Sequence, residues 1–499
     1  MIVSDQDSIE CAFGKHHYKQ LSQPAISALA VRAGCDQNDG KTYADSLGPA
    51  VAKGLVNESD IDVALARILR QRFLVGSFDP AGGIPYRDIP ITEMESGPHK
   101  ATSLAAAREA VVLLANNPSR AGSAGRGVSG TSGSPAGRPT LPLRKAPMKI
   151  AVIGPFANNS LSPYGGKPDY LSSFTITLLE GVEAAAGETG ATVTYTVGSG
   201  VTEPNTTALH DAVAMAKLAD VVILSVGIDS SIEHEGSDRT TIGLPSCQTA
   251  LMTEVADAAA GDVVVILSNG GPLSSDYLAA ATAAASPSIH AVVEGFELGP
   301  YTGQVLAEVL WGETNPSGML PFTLHPEGFV NETSMLDMSM RAGPGRTYRF
   351  LRSPPLWPFG WGLSFTTFTT EWTAQPAATA TTADPKMAFT VKVTNVGNVA
   401  GAKPVQAYIT AVGTATDDYP VRSLFGLEKV MLQPGESATL SFSSAPRASY
   451  CTWCTVDAAG ERAIRPGEYT IQIGGDGAGP ENGVTATVKL TGIVVPQEI

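Results

Sequence analysis

The sequence predicts a multidomain α/β plus all-β protein, and three observations carry that prediction. At 499 residues the chain is too long for a single core. Between Met148 and Phe368, short Val/Ile-rich runs alternate with helical patterns, the mark of a mostly parallel sheet with helices on both faces. From about residue 385 onward, apolar and polar residues alternate between Gly, Pro and Asn turns, the mark of an antiparallel sandwich. Hydrophobic residues make up 43% of the chain, so core material is not limiting, and a charged fraction of 16% excludes an acidic disordered chain.

Residues 1–88 read as one short strand and three helices. Ile2-Val3 is strand-like and runs straight into Ser4-Asp5. A helical pattern ends at Gly34, and a second in NESDIDVALARILRQRFLVG places Ile61, Leu65, Ile68, Leu69 and Phe73 on one stripe. Ser59 with Asp62 is the expected capping box of that helix. One strand cannot close a sheet, so this segment reads as the tail of a larger α/β domain. Residues 89–147 read as a connector, with a helix over Ser103–Leu114 and a Gly/Ser/Ala/Pro-rich insert at 116–140 that is expected to be mobile. The strands of the central domain are KIAVIGP, ATVTYTVG, DVVILSVG, DVVVILSNGG and HAVVEGF, and residues 148–368 are expected to fold independently. MAFTVKVTNVGNVAG, KPVQAYIT, ATLSFSSA, GEYTIQIGG and VTATVKL supply the sandwich over 385–499.

Charge and cysteines narrow the function. A formal net charge of -15 argues against nucleic acid and anionic membranes as partners. No apolar run is long enough for a spanning helix, and no basic-then-apolar leader stands at the start. Cys451-x-x-Cys454 lacks a second pair or nearby histidines, so it reads as two thiols rather than a metal site. Sequons at Asn57, Asn158, Asn205 and Asn331 fit secretion but also arise by chance.

The chemistry is expected at strand exits. Ligands of open parallel sheets bind outside the carboxyl ends of the strands. DVVILSVG ends at Gly227 and opens into IDSSIEHEGSDRT, which holds Asp229, Glu233, Glu235, Asp238 and Arg239. A solvated acidic loop is the bland reading, but the position favours function. Asp5 repeats the pattern at another strand end, and two carboxylates on separate strand ends are the minimum for glycoside hydrolysis. Gly154 and Gly270-Gly271 stand at strand exits without a G-x-G-x-x-G or P-loop, which disfavours nucleotide binding. His16-His17 reads as a structural pair.

With these strings in view the chain resembles glycoside hydrolase family 3, and most of all its β-xylosidase and α-L-arabinofuranosidase branch. VSDQDSI is similar to the family's nucleophile strand, and SIEHEGSDRTTIGLP to its acid/base loop. AAREAVVLLAN, IAVIGPFAN, YGGKP, NPSGMLPFT, DMSMR, PGRTYRF and WPFGWGLSFTTF match the α/β domain, and LFGLEKVMLQPGES and GEYTIQIG the third. The resemblance implies a C-terminal remnant of a (β/α)8-type barrel, an α/β sandwich and a fibronectin III-like β-sandwich. Most of the barrel has no counterpart here.

The resemblance also implies roles. Asp5 is the carried-over nucleophile. Glu235 is the first choice for acid/base, because E-G-x-D-R matches the family's glucosidases, with Glu233 second from the I-E-x-E string of the xylosidase branch. Asp238, Arg239 and Tyr164 are the expected substrate-binding residues. The implied reaction retains configuration, through a covalent glycosyl-enzyme formed by carboxylates about 5–5.5 Å apart. It needs no metal or organic cofactor, acts on oligosaccharides, and belongs to the extracellular space or cell wall. Asp5 is expected to lie near Glu233 and Glu235, and this chain is expected to hydrolyse aryl xylosides poorly or not at all. The alternatives are a β-glucosidase of the same family, or a non-catalytic carbohydrate-binding remnant.

Overall fold

The computed structural model describes residues 1–14, 21–119, 138–165, 171–283, 287–412, 420–444, 451–456, 460–475 and 483–496. His16-His17 and most of the 116–140 insert lie outside them. The chain divides into two compact units, Met1–Ser96 and Gly97–Ile499, and each is described by itself.

The first unit is helical: α1 (Ser8–Gly14), α2 (Gln23–Arg32), α3 (Thr42–Ala52) and α4 (Glu58–Leu74). Its small core joins Ala28 and Val31 of α2 to Ala50 of α3 and Val56. Two carboxylates organise it. Glu10 accepts from the amides of Lys41 and Thr42, both at 2.6 Å, and so caps α3 from a distance. Burial of Asp36 pushes its pKa up, but the Ile2 amide at 2.8 Å and the Arg67 guanidinium at 3.1 Å outweigh this and hold it below the usual carboxylate range.

Three expectations change here. Ile2-Val3 is no strand: Val3 makes a single parallel bridge to Gln37. The capping box of α4 is Asn57 with Asp60, not Ser59 with Asp62, because Asn57 reaches the first free amides and starts the helix earlier. The apolar stripe of α4 is largely in solvent, with Leu65, Leu69 and Phe73 exposed and Ala64 the helix's buried residue.

The second unit starts with α5 (Gly97–Ala110), which ends before the expected Leu114. The β-branched and Leu residues that follow form β1 (Val112–Asn116), the antiparallel edge of the main sheet. The connector therefore contributes a strand to the α/β core. The other strands are β2 (Lys149–Ile153), β3 (Thr192–Thr196), β4 (Val221–Gly227), β5 (Asp262–Ser268) and β6 (Ala291–Glu294). Among the described residues the order is β1-β6-β5-β4-β2-β3, parallel except at β1. All residues of β4 and β6 are buried, as continuous Val/Ile runs between two helix layers require.

The helices are α6 (Leu178–Thr189), α7 (Thr206–Ala216), α8 (Ser246–Ala258), α9 (Asp276–Ala283) and α10 (Thr302–Trp311). One apolar cluster lies under α7, α8 and α9, and another under α6 and α10. A Cβ at Gly181 of α6 would strike the backbone of Gly303 in α10, so these helices meet only because both positions are glycine. No helix among the described residues is long and apolar enough to cross a membrane.

The sandwich is built from β7 (Phe368–Ala374), β8 (Thr379–Thr381), β9 (Ala388–Asn395), β10 (Gly401–Val412), β11 (Ser423–Leu432), β12 (Ser437–Ser443), β13 (Cys454–Val456), β14 (Arg462–Ile464), β15 (Gly467–Ile473), β16 (Val484–Thr491) and β17 (Val495–Pro496). Among the described residues one sheet runs β11-β10-β15-β16-β8, the facing one β12-β9-β7, and a small third β13-β14-β17. The alternation read in MAFTVKVTN is literal in β9, where Phe389, Val391 and Val393 face the core. Cys451 and Cys454 form a disulfide, which corrects the reading of two free thiols. Their spacing and the turn between them bring the Cα atoms to 5.3 Å, within bridging range.

Candidate active site

In the second unit a cleft of about 340 Å³ opens at the carboxyl edge of the sheet, lined by Gly165, Ile228, Asp229, Ser230, Glu233, His234, Gly270 and Glu297. Apart from Gly165, which lies in the segment after β2, these residues follow the exits of β4, β5 and β6, where an open parallel sheet places ligands. The exit of β4 is braced by the buried Gln248 of α8. Its Oε1 accepts from the Gly227 amide at 2.8 Å, and its Nε2 donates to the Gly227 carbonyl at 2.9 Å.

The loop after β4 has a definite shape. Asp229 Oδ1 accepts from the amide of Ser231 at 2.9 Å and from its hydroxyl at 2.6 Å, an Asx-turn that reverses the chain. The Ser237 amide donates to the His234 carbonyl at 2.9 Å, and Gly236 has φ +83°. That is a tight turn with Glu235 and Gly236 at its tip. Glu235 is therefore exposed and does not line the cleft, whereas Glu233 does.

Glu233 is held from below. Arg239 Nε donates to Glu233 Oε2, and Arg239 Nη2 donates to the Pro272 carbonyl at 2.9 Å. Gly271 makes room, since a Cβ there would collide with Glu233 Oε1. One residue earlier, a Cβ on Gly270 would lie 2.7 Å from Glu297 Oε1. Two carboxylates thus rest on two successive glycines, whose Cα atoms are about 3.8 Å apart. Glu297 is exposed at the cleft wall, yet its carboxyl is pushed up, first by desolvation and then by Glu233. Below them Glu294 ends β6, fully buried. Burial drives its carboxyl up to about 8, despite the Phe296 amide, which donates to its Oε1 at 3.2 Å.

The other predicted residues are placed differently. Asp238 is exposed. Arg239 donates to Glu233 and the Pro272 carbonyl, and its buried Nη1 has no hydrogen-bond partner among the described residues. The Tyr164 hydroxyl hydrogen-bonds with Thr175 Oγ1 at 3.0 Å, and its neighbour Gly165 is what lines the cleft. Asp5 belongs to the first unit, where it is exposed and its Oδ1 accepts from the Gln6 amide at 2.8 Å. Sequence reasoning missed Glu297. The strand-exit rule that singled out Glu233 applies equally to GFELG after β6, but there the carboxylate stands alone among apolar residues and draws no notice.

Comparison with known proteins supplies the class. The family model for the glycosyl hydrolase family 3 C-terminal domain matches residues 111–365, and that for a fibronectin type III-like domain matches residues 403–477. "Probable exo-1,4-beta-xylosidase bxlB" of Aspergillus fumigatus is 30% identical over 98% of this chain and 61% of its own length. "Beta-D-xylosidase 1" of Arabidopsis thaliana is 31% identical over 95% of this chain and 61% of its own. A solved structure described as "GH3 exo-beta-xylosidase (XlnD)" with a xylobiose aziridine probe matches with TM-score 0.80 at 26% identity, covering 99% of this chain and 61% of that one. A β-glucosidase from Erythrobacter marinus matches with TM-score 0.76 at 28% identity, covering 98% and 63%. Fold, cleft and relatives together place the chain among the glycoside hydrolases. It belongs to glycoside hydrolase family 3. The chain spans 61% of the length of these two curated relatives.

Proposed function

We propose that this protein serves as an exo-acting, configuration-retaining glycosidase that releases xylose, or arabinose, from the non-reducing ends of xylan-derived oligosaccharides. Asp5 is the nucleophile and Glu233 the acid/base. The single observation that carries the reading is Glu233 itself, set in the cleft at the β4 exit by Arg239 and given room by Gly271. Glu235 is set aside for that role because it sits exposed at a turn tip. The exo-xylosidase names of the curated relatives support the sugar.

Asp5, ionised, attacks the anomeric carbon while Glu233 protonates the departing oxygen. Glu233, now a carboxylate, then deprotonates the water that releases the sugar. The Cys451–Cys454 disulfide supports an oxidising compartment, and we place the enzyme outside the cell.

The test is sugar release from aryl β-xyloside, α-arabinoside and β-glucoside. It uses the chain as given, and the same chain extended upstream with the matching segment of a curated relative. Turnover in either that disappears in Asp5→Ala carries the reading. Preference for the glucoside would move it to a β-glucosidase, the second reading, which the Erythrobacter marinus structure favours. Absence of turnover in both forms would overturn it in favour of a non-catalytic carbohydrate-binding role.

A further inference from the structure

In the first unit, α4 turns an apolar row into solvent. Leu65, Leu69 and Phe73 are 47%, 37% and 65% exposed, and Phe73 rests against the exposed Phe78 with ring centroids 4.6 Å apart. Contiguous apolar surface of this kind on a folded unit marks an interaction site. We propose that this face is a self-association surface, on which α4 of a second copy of this chain packs antiparallel about a two-fold axis.

The charges along the helix choose the occupant. Asp62 precedes the apolar row and Arg72 closes it, and both are exposed. Helical spacing keeps Asp62, Leu65, Leu69, Arg72 and Phe73 on one side. The buried Ala64 and the half-buried Ile61 and Ile68 meet the unit's own core on another. Arg67 points away, to Asp36 at 3.1 Å. Neither Asp62 nor Arg72 has an ion-pair partner among the described residues. A parallel copy would set like charges together. An antiparallel copy, with the axis beside Arg67, sets Leu65 of each chain against Leu69 of the other and Asp62 of each against Arg72 of the other. Favour from the helix dipole does not explain this polarity, because Asp62 lies past the first turn, where that effect has faded.

The dimensions suit such a pairing. The 17 residues of α4 span about 25 Å, long enough for two leucine layers with an ion pair at each end. Burial of Leu65, Leu69 and Phe73 on both copies drives association, and the charges fix direction and register. The contact uses the same face twice, so it closes on itself and stops at a dimer.

The test is sedimentation equilibrium of the chain as given, which reads association and not turnover. We expect a reversible dimer. Leu69→Glu should raise its Kd at least about a hundredfold. Asp62→Arg and Arg72→Asp should each raise Kd about tenfold or more, by setting like charges opposite one another. The double variant Asp62→Arg/Arg72→Asp restores opposite charges and should return Kd to within about threefold. Thermal melts of each variant separate lost association from lost folding, and Leu65→Gln, a milder change on the same face, must also weaken the dimer. A monomer at every concentration overturns the proposal. So does a dimer indifferent to Leu69→Glu, or one that the double variant fails to restore. If the monomer gains stability when the matching upstream segment of a curated relative is fused to it, and Leu69→Glu removes that gain, the face belongs to that segment and not to a second copy.

Discussion

Arg239 donates to Glu233 with one nitrogen and to the Pro272 carbonyl, 2.9 Å away, with another, tying the loop after β4 to the turn after β5. One side chain therefore sets both the carboxylate and the glycine seat under it. Arg239→Lys keeps the charge but has no planar fork to span two acceptors. In whichever form of the chain turns over aryl β-xyloside, as given or extended upstream, we expect kcat/KM to fall about tenfold to a hundredfold through kcat, with KM little changed. An unchanged kcat would show that Glu233 needs no such anchor.

The two glycines separate the two carboxylates. Gly271→Ala puts a methyl group against Glu233 and should cost about a hundredfold in kcat/KM. Gly270→Ala displaces Glu297 instead, and should cost less than about tenfold, because the acid/base keeps its place. Equal losses in the two variants would contradict this separation.

Glu233→Gln and Glu235→Gln distinguish the acid/base directly. The first should abolish hydrolysis of alkyl xylosides, whose leaving groups need the proton, while retaining more turnover on activated aryl ones. Glu235→Gln, at the exposed turn tip, should leave both within about twofold. The reverse pattern would return the role to Glu235.

Glu294 gives stability a pH slope. Burial pushes its folded carboxyl up to about 8, well above the ordinary carboxylate range. As pH rises between these values the unfolded chain releases its proton and the folded one holds it, so stability falls across that window. The loss is on the order of 5 kcal/mol. Thermal melts of Glu294→Gln should be flatter over the same range. A native slope that survives the substitution would mean Glu294 is not its source.

Asp36 acts in the opposite sense. Its folded pKa is lowered, so its contribution is present above the ordinary carboxylate range and is lost as pH falls through the folded value. Asp36→Asn should destabilise the first unit by about 1–3 kcal/mol and loosen the Ile2–Asp5 segment it tethers. Hydrogen exchange at the Ile2 amide is the readout, and unchanged protection would refute the tether.

Much of this was written in local pattern. Period-two alternation gave the sandwich strands, and unbroken Val/Ile runs gave the buried parallel ones, because burial on one face or two sets those periods. The strand-exit rule found the loop with Glu233, since the edge of a parallel sheet is where polar groups converge. Val112–Leu114 reads as helix in the sequence because good helix formers precede it, and only the open edge of β6 turns it into a strand.

What the sequence determined by itself was the family, the α/β and β-sandwich architecture and the acidic loop, since each is encoded by residues close together in the chain. The tertiary structure alone decided which glutamate enters the cleft. Glu233 and Glu235 are two residues apart and chemically identical, and no local rule ranks them. Gly236 turns Glu235 outward, while Arg239 and the distant Gly271 hold Glu233 in place. Glu297 joins them from another strand exit because β4, β5 and β6 lie side by side in the sheet. A site assembled across three strands is a property of their order in space, and that order depends on long-range packing that no single stretch of sequence contains.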